Sequence, residues 1–470
     1  MSVFPVMTCS WLDHKVKFAV VVTMCFTSLA TVFVFQSKST FISLQHHIME
    51  LPTECAPVLV DTSKLVSSRS VPASLSDWGT VMVQRRLHLL QACRALSLQR
   101  KPLTKMEALY AQKLQLVYCP IPKVGCSFWK RVFATMALSL DVSPLELSSL
   151  DIHKSVHTLS LNQQPARHYQ TALLSSIKFM FTRDPYRRAF SGYCDKLFVF
   201  SFETMPIAET IRGSNGRPSS FNGTLDPVTR DWLLNRLNVT FAESLQYSLG
   251  FYTHGHDKVD VHFTPSSQIC KPCGVHFDFI GKMETFNNDT EFILKFLNQS
   301  QILERMGDIE GNNEISIVSD VCKRTFLALK KFGITDEIVL DSVLKRVWKL
   351  FKIRGFLNEY QDYPVRSLRE YTQLTAQRFT QLSLHALKHS GIREVRKKQR
   401  DEYLVRAFRS VPLKILRNFR SAVTHDCVIF DYDCSPPEVF ADRKNNGDEE
   451  DNVFSNDKYV GYKSVDYEYS

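Results

Sequence analysis

Two short stretches of this chain gather residue types that bind anions. The first is LQLVYCPIPKVGCSFWKRVF, Leu114 to Phe133. Leu114 to Ile121 reads as a strand and Phe128 to Leu140 as a helix. Between them lies a tight loop of Pro122, Lys123, Val124, Gly125, Cys126 and Ser127. A loop that opens a helix points backbone N–H groups outward, and the helix dipole adds partial positive charge. Gly125 lets the chain approach a ligand, and Lys123 brings a mobile point charge. Ser127 can cap the helix or donate to a phosphate oxygen. Taken alone, the loop reads equally as an ordinary strand–turn–helix with a surface lysine. The string G-x-x-x-x-G-K-[ST] is absent, which argues against a magnesium-dependent nucleotide hydrolase or kinase.

The second stretch is KFMFTRDPYRRAFSGYCDKL, Lys178 to Leu197. The apolar segment Ile177 to Thr182 again reads as a strand, and Tyr186 to Phe198 as a helix. Arg183 stands at the junction, Pro185 suits a first helical turn, and Ser191 lies on the helix. An arginine fork with a serine hydroxyl can hold a terminal phosphate. The same residues also read as a helix start capped by Asp184 and flanked by surface arginines.

In order, the two stretches resemble the 5′-phosphosulfate loop and the 3′-phosphate site of sulfotransferases that use 3′-phosphoadenosine 5′-phosphosulfate (PAPS). The resemblance is to the Golgi carbohydrate sulfotransferases that include the chondroitin 4-O-, dermatan 4-O- and HNK-1 enzymes. Tyr118 to Arg131 is similar to that family's Y-C-x-x-P-K-V-x-C-[ST]-x-W-K-R string, and Arg183 to Lys196 to its R-[DE]-P-[FY]-x-R-x-x-S-x-Y-x-x-K string. His262 to Thr285 is similar to H-W-x-P…C-x-P-C…Y-D-x-x-G-K-x-E-T, and Asp426, Phe430 and Tyr432 to the ending D-F-x-x-F-G-Y. Phe263, Phe277, Cys427 and Asp431 depart from the family's tryptophan, tyrosine, phenylalanine and glycine. These departures fall outside the nucleotide loops and bear on the acceptor.

The resemblance implies direct transfer of a sulfuryl group from PAPS to a glycan hydroxyl of the N-acetylgalactosamine or uronic acid type, with no metal. It implies a donor site from Pro122 to Phe128 and from Arg183 to Ser191, the latter run including Asp184, Pro185, Tyr186, Arg187, Arg188, Ala189 and Phe190. Lys123 would stabilise the leaving oxygen. His262 is the candidate base and Glu284 the second, with a structural histidine the competing reading. A non-catalytic lumenal glycan-binding protein on the same fold is the alternative function, and the presence of Lys123, Arg183 and Ser191 argues against it.

These residues need a frame. Short apolar runs alternate with amphipathic stretches from Leu109 to Asp433, an α/β pattern. The resemblance makes this a P-loop-like sulfotransferase fold, a central parallel sheet flanked by helices. Longer helical stretches are expected at Gln84 to Leu98, Thr285 to Leu303 and Ser367 to Leu387. The basic run from Lys388 through Arg393, Arg396, Lys397 and Lys398 to Arg400 reads as a solvated face, or as a surface for an anionic glycan. Of 470 residues, 44% are hydrophobic and 23% charged, as in a folded protein, and the net charge of +10 suits acidic ligands. No nucleic-acid partner is expected, and the sequence does not speak to oligomeric state.

Phe18 to Phe35 is an uncharged apolar run, long enough at ~1.5 Å per residue to nearly span a bilayer core of ~30 Å. Lys15 and Lys17 precede it, so residues 1–17 are expected in the cytoplasm, 18–35 as a signal anchor and the remainder in the Golgi lumen, a single-pass type II arrangement. Residues 36–108 read as a Pro- and Ser-containing stem, 109–433 as the catalytic domain and 434–470 as an acidic, tyrosine-containing disordered tail. Sequons at Asn222, Asn238, Asn288 and Asn298 suit a lumenal body. Cys270 and Cys273 form a C-x-x-C without a second such pair, which disfavours zinc. In an oxidising lumen they are expected in disulfides, with partners the spacing does not reveal.

Overall fold

The computed structural model describes residues 76–98, 106–148, 152, 156–221, 223–254 and 259–440. The expected cytoplasmic tail and anchor, Asn222 and most of the acidic tail lie outside the described residues. Among the described residues, no helix is long and apolar enough to cross a membrane.

The sheet is small and mostly parallel. β1 (Leu109–Ala111) runs antiparallel to β2 (Leu116–Cys119), and β2, β3 (Ile177–Thr182) and β4 (Phe279–Lys282) lie side by side in parallel. Leu116 pairs with Ile177 and Phe179 with Phe279. Every residue of β2 is buried, the pattern of a strand covered on both faces. The expected strand from Leu114 to Ile121 is shorter at each end. Gln112–Leu114 forms a 3₁₀ turn, and Pro120 and Pro122, which cannot donate to a ladder, follow the strand directly.

The helices, in chain order, begin with α1 (Ser76–Ala95), α2 (Cys126–Leu138), α3 (Ala166–Ser175) and α4 (Pro185–Tyr193). Next come α5 (Thr204–Arg212), α6 (Pro227–Leu237), α7 (Phe241–His254) and α8 (Ser266–Cys270). After β4 follow α9 (Phe286–Phe296), α10 (Ser300–Met306), α11 (Ile309–Phe332) and α12 (Glu337–Ile353). The chain then adds α13 (Ala376–Lys388), α14 (Arg393–Arg409), α15 (Leu413–Phe430) and α16 (Pro437–Phe440). The helical stretch expected from Thr285 to Leu303 is divided, because Asn298 between α9 and α10 takes φ 56. The one expected from Ser367 opens as a 3₁₀ turn, Leu368–Gln373, and becomes α-helical only where Thr375 caps α13.

One apolar cluster covers the sheet. Trp129 on α2 is fully buried, 4.8 Å from Phe179 and 5.1 Å from Phe181 between ring centroids. A second cluster, among the later helices, packs α4 against α7, α14 and α15 through Tyr186, Phe241, Phe408 and Phe419.

α1 falls in the segment expected as stem, yet it is fastened to this core. Arg85 donates to the buried carboxylate of Asp289 at 2.8 Å and to Thr285 Oγ1 at 2.8 Å. Trp78 Nε1 donates to the same carboxylate at 2.8 Å, and so does the N–H of Lys282 at 2.7 Å. Disulfides join Cys93 to Cys273 and Cys119 to Cys270. Both C-x-x-C cysteines are therefore oxidised, each to a partner far away in sequence and not to each other.

The basic run is corrected in part. It lies largely on α14, where Arg396 is buried and donates to the carbonyls of Gly355 at 2.7 Å and Phe356 at 2.9 Å. Arg393, Arg396 and Lys397 pair with Asp308, Glu310 and Glu314 around the start of α11. Half of the run is a helix-packing face, because the facing acidic residues neutralise it. Lys388 and Lys398 are exposed.

Candidate functional site

β2, β3 and β4 all end at one edge of the sheet, where ligands bind in open parallel sheets. β2 runs into the loop before α2. Lys123 takes φ 71 and Gly125 φ 77, and α2 opens without a side-chain cap. Left-handed residues in such a loop turn N–H groups to one side, the pattern of an anion-binding nest. A non-glycine residue there costs on the order of 1 kcal/mol or more and persists only where its surroundings fix it. Two arginines do so. Arg188 Nε donates to Pro122 O at 3.0 Å, and Arg183 Nη1 to Lys123 O at 3.3 Å. At Gly125 a Cβ would lie 2.7 Å from Phe286 Cε2, so the close packing of α9 also demands glycine.

β3 ends at Arg183. Asp184 caps α4 by accepting from Arg187 N at 2.8 Å, and its own N–H donates to Glu284 Oε1 at 3.1 Å. Glu284, on the 3₁₀ turn Met283–Thr285 that follows β4, also accepts from Tyr432 at 2.9 Å, and its charge acts on Arg183. Burial holds the Arg183 guanidinium down to about 10, with Glu284 opposing and Arg400 and Arg187 reinforcing. Arg187 pairs with Asp401 at 2.6 Å. Ser191 is half-buried, further along α4.

Of the remaining residues of these stretches, Cys126, Ser127 and Ala189 are half-buried and the others face inward. Tyr186 is buried and donates to Cys434 O at 2.7 Å, and Phe190 stacks edge-on to Phe241. Val124, Phe128 and Pro185 are buried as well. Arg188 spans the site from inside, donating to Thr264 O at 2.6 Å besides Pro122. It thereby ties the first loop to the segment that carries His262.

After Tyr193 the expected helix widens into a π-turn, Cys194–Phe198, a form frequent at functional sites. That turn presents Asp195 to Lys123 Nζ at 2.9 Å. Arg324 of α11 and Arg354 at the end of α12 reach the same carboxylate at 3.1 and 3.3 Å, and Lys196 at 3.7 Å. Burial lowers Lys123 to about 8, with Asp195 opposing and Arg354 and Lys196 adding repulsion. Asp195 is held well below the usual carboxylate range: burial would raise it, and the four cations outweigh that. The sequence reading did not single out Asp195, Arg324 or Arg354. Asp195 adjoins a motif residue, Lys196, but nothing local marks the two arginines.

His262 lies on a 3₁₀ turn, Val261–Phe263. Its Nδ1 is 2.6 Å from Asp260 Oδ1, and its backbone N–H donates to the same oxygen at 2.9 Å. Asp260 is held low by these bonds against its burial, so it is ionised and Nδ1 must carry the proton. Burial keeps His262 below its ordinary value, with Lys196 and Lys123 adding to the effect. The ring is therefore neutral near pH 7, with Nε2 the basic nitrogen. His262 borders a pocket between α4, α7 and α15 with Ala189, Ser248 and Asp426. Asp426 accepts from the N–H groups of Ser266 and Ser267, which sets the start of α8.

Comparison with known proteins agrees with this geometry. The sulfotransferase family profile matches residues 106–316. Carbohydrate sulfotransferase 11 of Rattus norvegicus is 27% identical over 244 residues, covering 50% of this chain and 66% of that protein. For carbohydrate sulfotransferase 11 of Mus musculus the values are 27% over 303 residues, 60% and 80%. Carbohydrate sulfotransferase 9 of Homo sapiens is 28% identical over 192 residues, 41% of each chain. The chain thus spans just under two thirds of the rat protein's length. No solved structure matches it. Both strand–loop–helix units lie inside the segment that is similar to the sulfotransferase family.

Proposed function

We propose that this chain is a carbohydrate O-sulfotransferase that moves a sulfuryl group from PAPS to a glycan hydroxyl. The observation that carries this reading is the bond from Arg183 Nη1 to the carbonyl of Lys123. It makes one surface of the two anion-binding loops, beside a neutral His262 oriented by Asp260. When bound, PAPS supplies an activated sulfuryl group on a phosphate leaving group. The loop from Lys123 to Ser127 takes the 5′ end through backbone N–H groups, and Arg183 with Ser191 takes the 3′-phosphate. Lys123 meets the leaving oxygen, where charge grows in the transition state. His262 Nε2 accepts the proton of the attacking hydroxyl, and Asp260 steadies the resulting imidazolium.

The apolar run after Lys15 and Lys17 supports a type II anchor in the Golgi, with the body in the lumen. Two disulfides support an oxidising compartment. The test is retention of the full chain on immobilised 3′,5′-adenosine bisphosphate, followed by radiolabel transfer from PAPS to chondroitin, dermatan, terminal N-acetylgalactosamine and glucuronyl glycans. Retention with no transfer to any acceptor favours the non-catalytic alternative, and a chain that is not retained and transfers no label overturns the reading.

A further inference from the structure

The group around Asp195 holds more positive charge than the protein neutralises. Four cations, Lys123, Lys196, Arg324 and Arg354, lie within 3.7 Å of its carboxylate. Two other acids act on them: Glu203, 3.0 Å from Lys196, and the ionised Asp260, which faces Lys196 while its partner His262 is neutral. Asp320 also faces Arg324, but it is ion-paired with Arg131 of α2. Four positive charges against three negative leave a surplus of one. Repulsion from Arg354 and Lys196 contributes to the lowering of Lys123. Buried like charges are tolerated where an anion is to come between them.

The donor accounts for one of the four, Lys123. Arg324 and Arg354 belong to neither donor loop, and both lie beyond residue 316, where the family match ends. They are the more open members, with side chains 26% and 18% exposed against 13% and 4% for Lys123 and Lys196. Arg324 Nε is buried without a hydrogen-bond partner. Lys123 and Lys196 also act on His262, so the group adjoins the candidate base.

We infer that Arg324 and Arg354 form an acceptor subsite for a sugar carboxylate, one residue of an acidic glycan next to the hydroxyl that is sulfated. Asp195 holds the two guanidinium groups in place until the carboxylate arrives, and the planar fork of arginine suits that ligand. The inference rests on the proposed sulfotransfer and names its acceptor class.

The experiment uses the full chain saturated with 3′,5′-adenosine bisphosphate. Binding of a non-sulfated chondroitin hexasaccharide is compared with that of its carboxyl-reduced, uncharged form. Wild type should bind the acidic form about tenfold or more tightly. Arg324→Gln and Arg354→Gln should each remove most of that preference and raise KM for the acidic acceptor, with KM for PAPS unchanged. Arg324→Lys keeps the charge and should lose less, which separates ligand binding from misfolding of the glutamine variant. Equal wild-type affinity for the two forms overturns the inference while leaving sulfotransfer intact. So does a rise in the PAPS KM of the arginine variants alone, which reassigns the pair to the donor. If wild type neither binds the bisphosphate nor labels any glycan, both the inference and the reading beneath it fall.

Discussion

Lys123 carries its charge into surroundings that penalise it. Its ammonium is lowered to about 8, first by burial and then by Arg354 and Lys196. A polyanionic donor should relieve that penalty, so donor binding near pH 8 should take up protons. Calorimetry in buffers of different ionisation heat would detect the uptake, and kcat/KM for PAPS, which reports the free protein, should fall as pH rises above about 8. The stability effect has the opposite sense. A lysine lowered in the folded state binds fewer protons there than in the unfolded chain, so the penalty is fully present below about 8. It fades as pH rises from there toward the ordinary lysine range. Arg183→Ala should cost donor affinity roughly 1.5–3 kcal/mol, about a tenfold to hundredfold rise in KM for PAPS. Lys123→Ala should instead lower kcat, since its partner charge grows in the transition state. Steady-state kinetics with PAPS varied would separate the two, and folded variants with wild-type constants would show the assignment to be wrong. Lys123 and Arg183 were legible because each stands in a contiguous run with its own strand and helix. Arg324 and Arg354 were not, because helix packing alone brings them to Asp195. Asp431 is an instructive intermediate: the resemblance implied glycine at this position, and the structure shows φ 58 at the end of α15, a conformation that aspartate tolerates better than most residues.

Among the elements, the strands were the easiest to read. Ile177 to Thr182 is a strand over that same span, since it is apolar, short and bounded by charge. Helix ends depended on single residues that periodicity does not weigh, such as Asn298 and the cap Thr375. α1 shows a further limit: its apolar positions predict a helix, but only the fold reveals that Asp289 and Cys273 hold it. The Cys93–Cys273 bridge closes a sequence separation of 180 residues. With the Cys119–Cys270 bridge intact, the loop that Cys93–Cys273 adds runs only from Cys93 to Cys119 and from Cys270 to Cys273, which chain entropy values at roughly 3–4 kcal/mol. Cys93→Ser should therefore lower the melting temperature markedly, and Arg85→Ala should do so to a lesser degree. A melt of the Cys93→Ser protein matching wild type would mean that α1 contributes nothing to the core.

At the scale of the whole molecule, the alternation of strands and helices announced an α/β protein, while the arrangement of α11 to α15 had no signal beyond amphipathic spacing. The topology read from the N-terminal run has a direct check. Asn238, Asn288 and Asn298 are exposed, so endoglycosidase treatment of protein expressed in cells should lower its apparent mass. Unmodified sequons, with a protease-sensitive body in sealed microsomes, would reverse the orientation. The two long-range disulfides bear on how such a protein would be processed. Cys93–Cys273 and Cys119–Cys270 are nested, the second lying within the span closed by the first. A protease that cuts once between Cys93 and Cys273 therefore releases nothing: the fragments migrate as one species on a non-reducing gel and part only after reduction. Shedding from a membrane would require a cut before Cys93, and a cut ahead of Ser76 would free the body with α1 still clamped in place.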